Sequence, residues 1–180
     1  MGRQPSGPFP TGSSAVSLAG VGFISPGLWV RGMAHATFCL TVDFDAVSPW
    51  LHAFDDNSPV NRSRGRFGAE VGAPRLLDLL DTHDIPATWF VPGHTIDSFP
   101  EPCERVVDSG HEIGHHGWSH TPPGKYESRE AERTDLERGI ESIERLTGSA
   151  PDGYRSPSWD FSPHTVSLLA ELGFEWSSSG

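Results

Sequence analysis

The chain has 180 residues, which suits a single domain with a hydrophobic core of its own. Its formal net charge of −11 at pH 7 and its pI of about 5.1 argue against nucleic acid and against an anionic membrane surface as partners. No apolar run approaches the roughly 20 residues that a membrane-spanning helix needs, so we predict no transmembrane segment.

Residues 1–35 are rich in Gly, Ser and Pro and show no clear amphipathic period. We predict a disordered extension or a start codon assigned too early, since Met33 lies just before the first predicted strand. The alternative is a cleaved export signal, because residues 34–36 resemble a signal-peptidase site, although Pro26 interrupts the apolar run before it. The predicted domain therefore covers residues 36–180, and its predicted location is the cytoplasm, with export through a weak signal as the alternative.

An apolar run bounded by polar residues predicts a buried strand at 36–42, and the next strand, at 87–91, is closed by Pro92 and Gly93. Further short strands are predicted at 112–115, at 153–154 and at 174–177. Cys39 falls inside the first predicted strand and Cys103 inside a predicted helix, so we expect two buried thiols rather than a disulfide.

Amphipathic spacing predicts helices between the strands. They cover a segment with Val71, Leu76, Leu77 and Leu80, residues 100–109, residues 128–147, and a segment that begins at Ser162 and Pro163 with Val166, Leu169 and Leu172 as its apolar face. We expect the many charges of the helix at 128–147 to be solvated, and Gly148 to be its C-cap. Residues 46–66 lack periodicity and are predicted as a long loop, in which Trp50, His52 and Phe54 either line a substrate cleft or pack locally.

The segment at 110–120 contains four histidines in eleven residues. His116 and His120 stand four apart, so on a helical turn both rings project from one face and reach one divalent metal ion. A catalytic zinc site uses three protein ligands and keeps an open position. The third ligand can come from Asp43 or Asp45, which follow an apolar run and, being two apart in a strand, face the same side.

Strands that alternate with helices predict an α/β fold with a parallel sheet of about five strands. Every candidate site residue lies just after a predicted strand. In a β/α barrel that position is the catalytic face.

This combination resembles the polysaccharide deacetylase family, carbohydrate esterases that share the NodB homology domain. The three family motifs are matched by TVDFD at 41–45, by HGWSH at 116–120, where the family usually has a hydroxyl residue in place of Gly117, and by RSP at 155–157. The segments SRGRFG at 63–68 and ATWFVPG at 87–93 look most like the branch that holds peptidoglycan-deacetylase-like proteins and hydrolases of cyclic imides and allantoin. The resemblance covers about residues 36–180.

The resemblance implies a metal site formed by Asp45, His116 and His120. These residues would hold one divalent ion, most simply Zn²⁺. The family places none of the other residues of segment 110–120 on the metal, so His111 is expected to be a structural hydrogen-bonding residue and His115 to face away.

The resemblance also implies the residues that act beside the metal. Asp43 would be the general base, and Arg155 would pair with Asp43 to keep it ionised and oriented. The backbone N–H of Phe161 would hold the oxyanion of the tetrahedral intermediate. Trp159 stands where the family commonly has Gly, so it either stacks on a sugar or closes off a small pocket.

The family fold is an irregular (β/α) barrel that usually has about seven strands, so we expect this barrel to be incomplete. Two downstream family motifs, one with an acidic residue near a Trp and one with the His that protonates the leaving amine, are not found here. The expected activity is metal-dependent hydrolysis of a non-peptide C–N bond, first in an N-acetylated sugar or polysaccharide. The alternatives are hydrolysis of a small cyclic amide or imide, as in imidases and allantoinases, and an inactive metal-binding or carbohydrate-binding fragment. The oligomeric state is left open.

Overall fold

The computed structural model describes residues 16–17 and 37–179. Its strands are β1 (Val16–Ser17), β2 (Thr37–Phe38), β3 (Thr41–Asp43), β4 (Thr88–Val91), β5 (Glu112–His115), β6 (Gly153–Tyr154) and β7 (Trp176–Ser177). Its α-helices are α1 (Pro59–Phe67), α2 (Ala73–Thr82), α3 (Gly93–Ser98), α4 (Pro100–Asp108), α5 (Arg129–Thr147) and α6 (Thr165–Glu171). For the part of the chain described, none of the helices combines the length and the apolar character that crossing a membrane requires.

Strands β3 to β7 form one parallel sheet, in the order in which they occur in the chain. Val42 lies beside Trp89, Trp89 beside Ile113, and His115 beside Tyr154. At least one helix connects each strand to the next, which is the arrangement of a β/α barrel. The predicted α/β class with a five-stranded parallel sheet is therefore confirmed.

Helices bury the sheet in two core clusters. Trp89, Phe90 and Val91 of β4 have no exposed surface, as expected for a strand inside a parallel sheet. The first cluster joins Trp89 and Val91 to side chains of α2, α4 and α5, among them Leu77, Val106 and Ile143. The second joins α5, β6 and α6 through Leu136, Tyr154, Leu168 and Leu169. These contacts fix the strands whose ends carry the candidate site.

The candidate site residues gather at the carboxyl edge of the sheet. Asp43 is the last residue of β3, and Asp45 follows two residues later. His116 follows the last residue of β5, and Arg155 follows the last residue of β6. Since parallel strands end at the same edge, residues distant in the sequence meet there.

The predicted strand at 36–42 is wrong in its continuity and its burial. It divides into β2 and β3, and β2 pairs antiparallel with β1 rather than with the parallel sheet. Both cysteines are free thiols, as predicted, but Cys39 lies between the two strands and is exposed, so that only Cys103 is buried. Apolar residues indicated burial, but β3 has a neighbouring strand on one side alone within the described sheet.

The predicted loop at 46–66 is also wrong. A π-helical turn covers Pro49–Ala53 and α1 begins at Pro59. The Ser58 hydroxyl accepts a hydrogen bond from the N–H of Asn61 at 3.4 Å, and Pro59 occupies the first turn, where its missing N–H costs nothing. Ser and Pro indicated a loop here, whereas in this position they are helix-start residues.

The last predicted helix begins at Thr165 rather than at Ser162. The Ser162 hydroxyl still accepts hydrogen bonds from the N–H groups of His164 and Thr165, at 2.9 and 3.2 Å. Val166, expected on the apolar face, is 69% exposed, whereas Leu168 is fully buried. The later start and the packing of α6 against α5 and β6 decide which side faces the core.

The charges of α5 are not all solvated, contrary to the prediction. Glu132 is 1% exposed, and its carboxylate accepts hydrogen bonds from the hydroxyls of Thr165 and Ser162, each at 2.5 Å. The C-cap is as predicted, since Gly148 adopts a left-handed conformation with φ of 84°.

Candidate metal centre

Asp45, His116 and His120 converge on one point at the carboxyl edge of the sheet. The Oδ1 atom of Asp45 lies 3.5 Å from Nε2 of His116, and its Oδ2 atom lies 3.5 Å from Nε2 of His120. One nitrogen or oxygen of each residue lies within 4.8 Å of those of the other two. Two imidazole nitrogens and a carboxylate oxygen at this spacing form a group able to hold a metal ion.

Burial makes this group unfavourable without a cation. It raises the pKa of Asp45 to about 7, with the neighbouring Asp43 as a smaller cause. Burial also lowers the pKa of His116 to about 3, helped by His120, and that of His120 to about 4. At neutral pH both imidazoles are neutral, so the short distances to Asp45 are not salt bridges of protonated histidines.

The hydrogen bonds made by Asp45, His116 and His120, here called the triad, leave atoms free to bind a metal ion. Nδ1 of His116 donates to the carbonyl oxygen of Arg155 at 2.6 Å, which leaves the lone pair on Nε2 free. Oδ1 of Asp45, a buried atom, has no hydrogen-bond partner among the described residues. A buried carboxylate oxygen without a donor, facing imidazole lone pairs, fits a cation.

The four-residue spacing predicted a helical turn, but the two histidines do not lie on one. β5 ends at His115, and residues 116–120 form a loop. Gly117 and His120 have φ values of 70° and 59°, so the backbone reverses between the two rings. The ring centroids of His116 and His120 are 4.8 Å apart. The loop brings the rings together in place of helical periodicity.

Arg155 binds Asp43 through a short, well-supported contact. One guanidinium nitrogen lies 2.6 Å from Oδ1 of Asp43, and the other donates to the Thr41 hydroxyl at 3.0 Å. Nε of Arg155 donates to the Ser178 hydroxyl at 2.8 Å, and the guanidinium lies 4.1 Å from the ring centre of Phe90. Asp43 is thus held beside Asp45 by a cation of fixed orientation.

A hydrogen-bonded series of side chains from Thr95 and His94 of α3 and from Ser48 supports Asp45, and no sequence pattern predicts it. The Thr95 hydroxyl donates to the carbonyl oxygen of Asp45 at 2.7 Å. Since its single hydrogen is used there, Thr95 accepts from the Ser48 hydroxyl at 2.8 Å, and Ser48 in turn accepts from Nδ1 of His94 at 3.0 Å. Ser48 and Thr95 have no exposed surface, so these hydrogen-bonded side chains are tightly packed.

The other histidines of the motif segment lie away from the triad. Nδ1 of His111 accepts the N–H of Ala87 at 3.3 Å, which is the structural role expected of it. His115 is fully buried on the opposite side, where its Nε2 donates to the carbonyl oxygen of Leu136 at 3.0 Å. The close approach of α5 to His115 requires Gly139, because a Cβ atom there would lie 2.2 Å from Nε2.

Aromatic side chains of segment 46–66 pack in pairs with one another or with Trp118. Trp50 packs against Phe54 at 5.5 Å between ring centroids, and His52 packs against Trp118 at 5.3 Å. A cavity of about 480 Å³ is lined by Asp43, Asp45 and Trp50, with Arg64 and residues of α2 among the others.

The third-motif loop presents its own aromatic residues to solvent. Trp159 is 65% exposed and has a positive φ of 51°, and Phe161 is 39% exposed. The assignment of the Phe161 N–H to the oxyanion stays a prediction, as does the contact of Trp159 with substrate.

The chain is similar to known proteins over most of its length. The profile of the polysaccharide deacetylase family matches residues 48–177. The peptidoglycan deacetylase of Helicobacter pylori is 46% identical over 139 residues, which are 77% of this chain and 47% of that protein. A peptidoglycan deacetylase-like protein of Gibberella zeae is 38% identical over 144 residues, 78% of this chain and 42% of the relative.

Solved structures show the same fold. A crystal structure from Mycobacterium smegmatis, with a provisional polysaccharide deacetylase assignment, is 43% identical, with a TM-score of 0.70 over 77% of this chain and 49% of that one. The structure of an allantoinase superposes with a TM-score of 0.67 at 22% identity, which shows the fold alone. The predicted barrel type is thereby confirmed, and the chain spans about half the length of the curated relatives it matches. The family profile and the order of the three motifs together show that this chain belongs to the polysaccharide deacetylase family.

Proposed function

We propose that this chain carries the metal centre of a hydrolase that removes acetyl groups from an N-acetylated sugar polymer of the peptidoglycan class. The observation that carries the proposal is the convergence of Asp45, His116 and His120 beside the Asp43–Arg155 pair. The substrate class is supported by the similarity to the peptidoglycan deacetylase of Helicobacter pylori.

Asp45, His116 and His120 would hold one divalent ion, for which zinc suits two neutral imidazoles and one carboxylate. Such an ion activates water and polarises the acetyl carbonyl. The protein keeps the ligand atoms ready, since Arg155 fixes the tautomer of His116 through its carbonyl oxygen and Thr95 holds the backbone of Asp45. Any metal bound between β3 and β5 therefore meets ligands that need little rearrangement.

Asp43 is proposed as the general base that takes the proton of the attacking water. A positioned base of this kind contributes about 10²–10⁴ to a rate. The guanidinium of Arg155 orients Asp43 at 2.6 Å and keeps it beside the metal ligands without joining them. The backbone N–H of Phe161 is proposed as a donor to the oxyanion, which a rigid dipole stabilises more effectively than water does.

Acetate release from peptidoglycan and from N-acetylated chitooligosaccharides tests the proposal. It is measured with zinc, in this chain and in any longer product of the same gene. We expect Asp43→Ala to reduce turnover at least about 10²-fold with unchanged zinc content, and His116→Ala to remove both. Loss of zinc in Asp43→Ala would show that the division of roles between the two aspartates is wrong.

Assays with cyclic imides in parallel distinguish sugar deacetylation from the alternative activity, hydrolysis of a small cyclic amide or imide. Consumption of imides without acetate release would replace sugar deacetylation by cyclic amide hydrolysis at the same centre. Tight binding of the oligosaccharides with no turnover of any substrate would instead identify a binding protein.

A further inference from the structure

Asp135 of α5 binds the loop that carries both histidines of the metal centre. Its Oδ2 atom accepts the backbone N–H of Trp118 at 2.7 Å, and its Oδ1 atom accepts that of Ser119 at 3.0 Å. Both donors lie between His116 and His120 in the chain. Hydrogen bonds to an ionised carboxylate are about twice as strong as neutral ones, so one side chain fixes two successive peptide units.

Three further backbone groups of this loop are held from other sides. The N–H of Gly117 donates to Nδ1 of His115 at 3.1 Å. The carbonyl oxygens of Gly117 and Trp118 accept the N–H groups of Gly93 and His94 at 3.0 and 2.9 Å. The loop is thus clamped between α3 on its carbonyl side and Asp135 on its N–H side.

The loop needs this support because its backbone is strained. His120 has a φ of 59°, in the left-handed region, which a non-glycine residue keeps only where the surroundings impose it. Gly117 has a φ of 70°, and a Cβ atom there would lie 3.1 Å from Oδ2 of Asp135. Without a helix between the two histidines, nothing in their spacing alone makes their Nε2 atoms converge.

We propose that Asp135 is a positioning residue of the metal centre. It holds the backbone reversal that turns Nε2 of His116 and of His120 toward Asp45, and it acts through these ligands rather than on substrate. The proposal rests on the proposed function, since it requires the three residues to bind a metal. Its signature is a change in metal affinity and coordination geometry in a chain that remains folded.

Metal titration of Asp135→Ala and Asp135→Asn tests the proposal. Zinc affinity is measured by competition with a chromophoric chelator, and ligand geometry by the visible absorption of the cobalt-substituted chain. We expect Asp135→Ala to weaken zinc binding about 10–100-fold, as for other partners that orient metal ligands, and to alter the cobalt spectrum. The zinc affinity of Asp135→Asn should lie between that of the wild type and that of Asp135→Ala, because the amide oxygen accepts one N–H while the amide NH₂ faces the other.

Glu141→Gln is the matched control, since Glu141 is an exposed carboxylate on the same helix and its substitution removes the same charge. It should keep wild-type affinity and spectrum. A folded Asp135→Ala chain with wild-type affinity and spectrum overturns the proposal, even if its unfolding free energy is reduced. If that variant does not fold, unchanged binding by Asp135→Asn overturns it. A wild-type chain that binds neither zinc nor cobalt overturns the proposed function itself, and this inference with it.

Discussion

At the candidate metal centre, Asp45 is the residue expected to compete with a metal ion for a proton near neutral pH. Burial raises its pKa to about 7, whereas burial lowers that of His116 to about 3 and that of His120 to about 4. As pH falls from about 7 to about 5, Asp45 takes up a proton while both imidazoles stay neutral. An unperturbed pair of histidines, each with a pKa near 6.5, would instead take up two protons in this interval.

We predict that zinc affinity falls about tenfold for each pH unit below about 7, the slope of a single proton. Chelator competition in the metal-free chain at a series of pH values measures this slope. In Asp43→Asn the decline should begin at lower pH, because the Asp43 carboxylate is one of the two causes that raise the pKa of Asp45. A slope near a hundredfold per pH unit would show that the histidines carry the protons instead.

At the scale of elements, hydrogen bonds to a buried carboxylate connect α5 to the start of α6. Glu132 accepts hydrogen bonds from Thr165 and Ser162 and is 1% exposed. We predict that Glu132→Ala lowers the free energy of unfolding by about 2–4 kcal/mol, since it leaves a cavity and two hydroxyls without their acceptor. Urea unfolding measures this loss.

Two variants make the Glu132 measurement specific. Glu132→Gln should lose less, because its amide retains an oxygen that can accept from one hydroxyl. Glu141→Ala removes an exposed carboxylate from the same helix and should change the free energy by less than about 0.5 kcal/mol. Equal losses in Glu132→Ala and Glu141→Ala would mean that Glu132 contributes no more than a solvated charge, which is what the sequence predicts for this helix.

The elements also show what the sequence could and could not predict. The strand β5 was predicted with its observed bounds, because the alternation of strands with helices depends on neighbours in the chain. The loop that follows was mistaken for a helical turn, since the spacing of His116 and His120 fits both. Its conformation depends on Asp135, a charge on a distant helix that looked like any solvated one. Thr95 and Ser48 were missed for the same reason, as their hydroxyls become supports of Asp45 only in the folded chain.

At the scale of the whole molecule, the candidate metal centre brings together residues from distant parts of the chain. Asp45 follows β3 and the histidines follow β5, with β4 between these strands in the sheet. Motif order was enough to predict that these parts meet, because parallel strands end at one edge. The partial exposure of β3 was not predicted, because the burial of a strand depends on what lies on each side of it in the sheet.

A cation that binds the folded chain more tightly than the unfolded one must stabilise the fold. At free zinc of about 100 times the dissociation constant, the gain is about 2.7 kcal/mol. Some affinity of the unfolded chain, which has nine histidines and two cysteines, reduces this value. We predict a gain of about 2 kcal/mol in urea unfolding with buffered free zinc, reversed by a chelator.

His120→Ala is the matched variant for this measurement, because it removes one ligand and leaves Asp43 and Arg155 in place. Its gain from zinc at the same free concentration should fall below about 0.5 kcal/mol, since the fraction of bound chains becomes small. An equal gain in His120→Ala and in the wild type would place the stabilising zinc elsewhere, for instance on surface carboxylates of this acidic chain. The difference between the two chains therefore measures the coupling of β3 to the loop after β5 through a single ion.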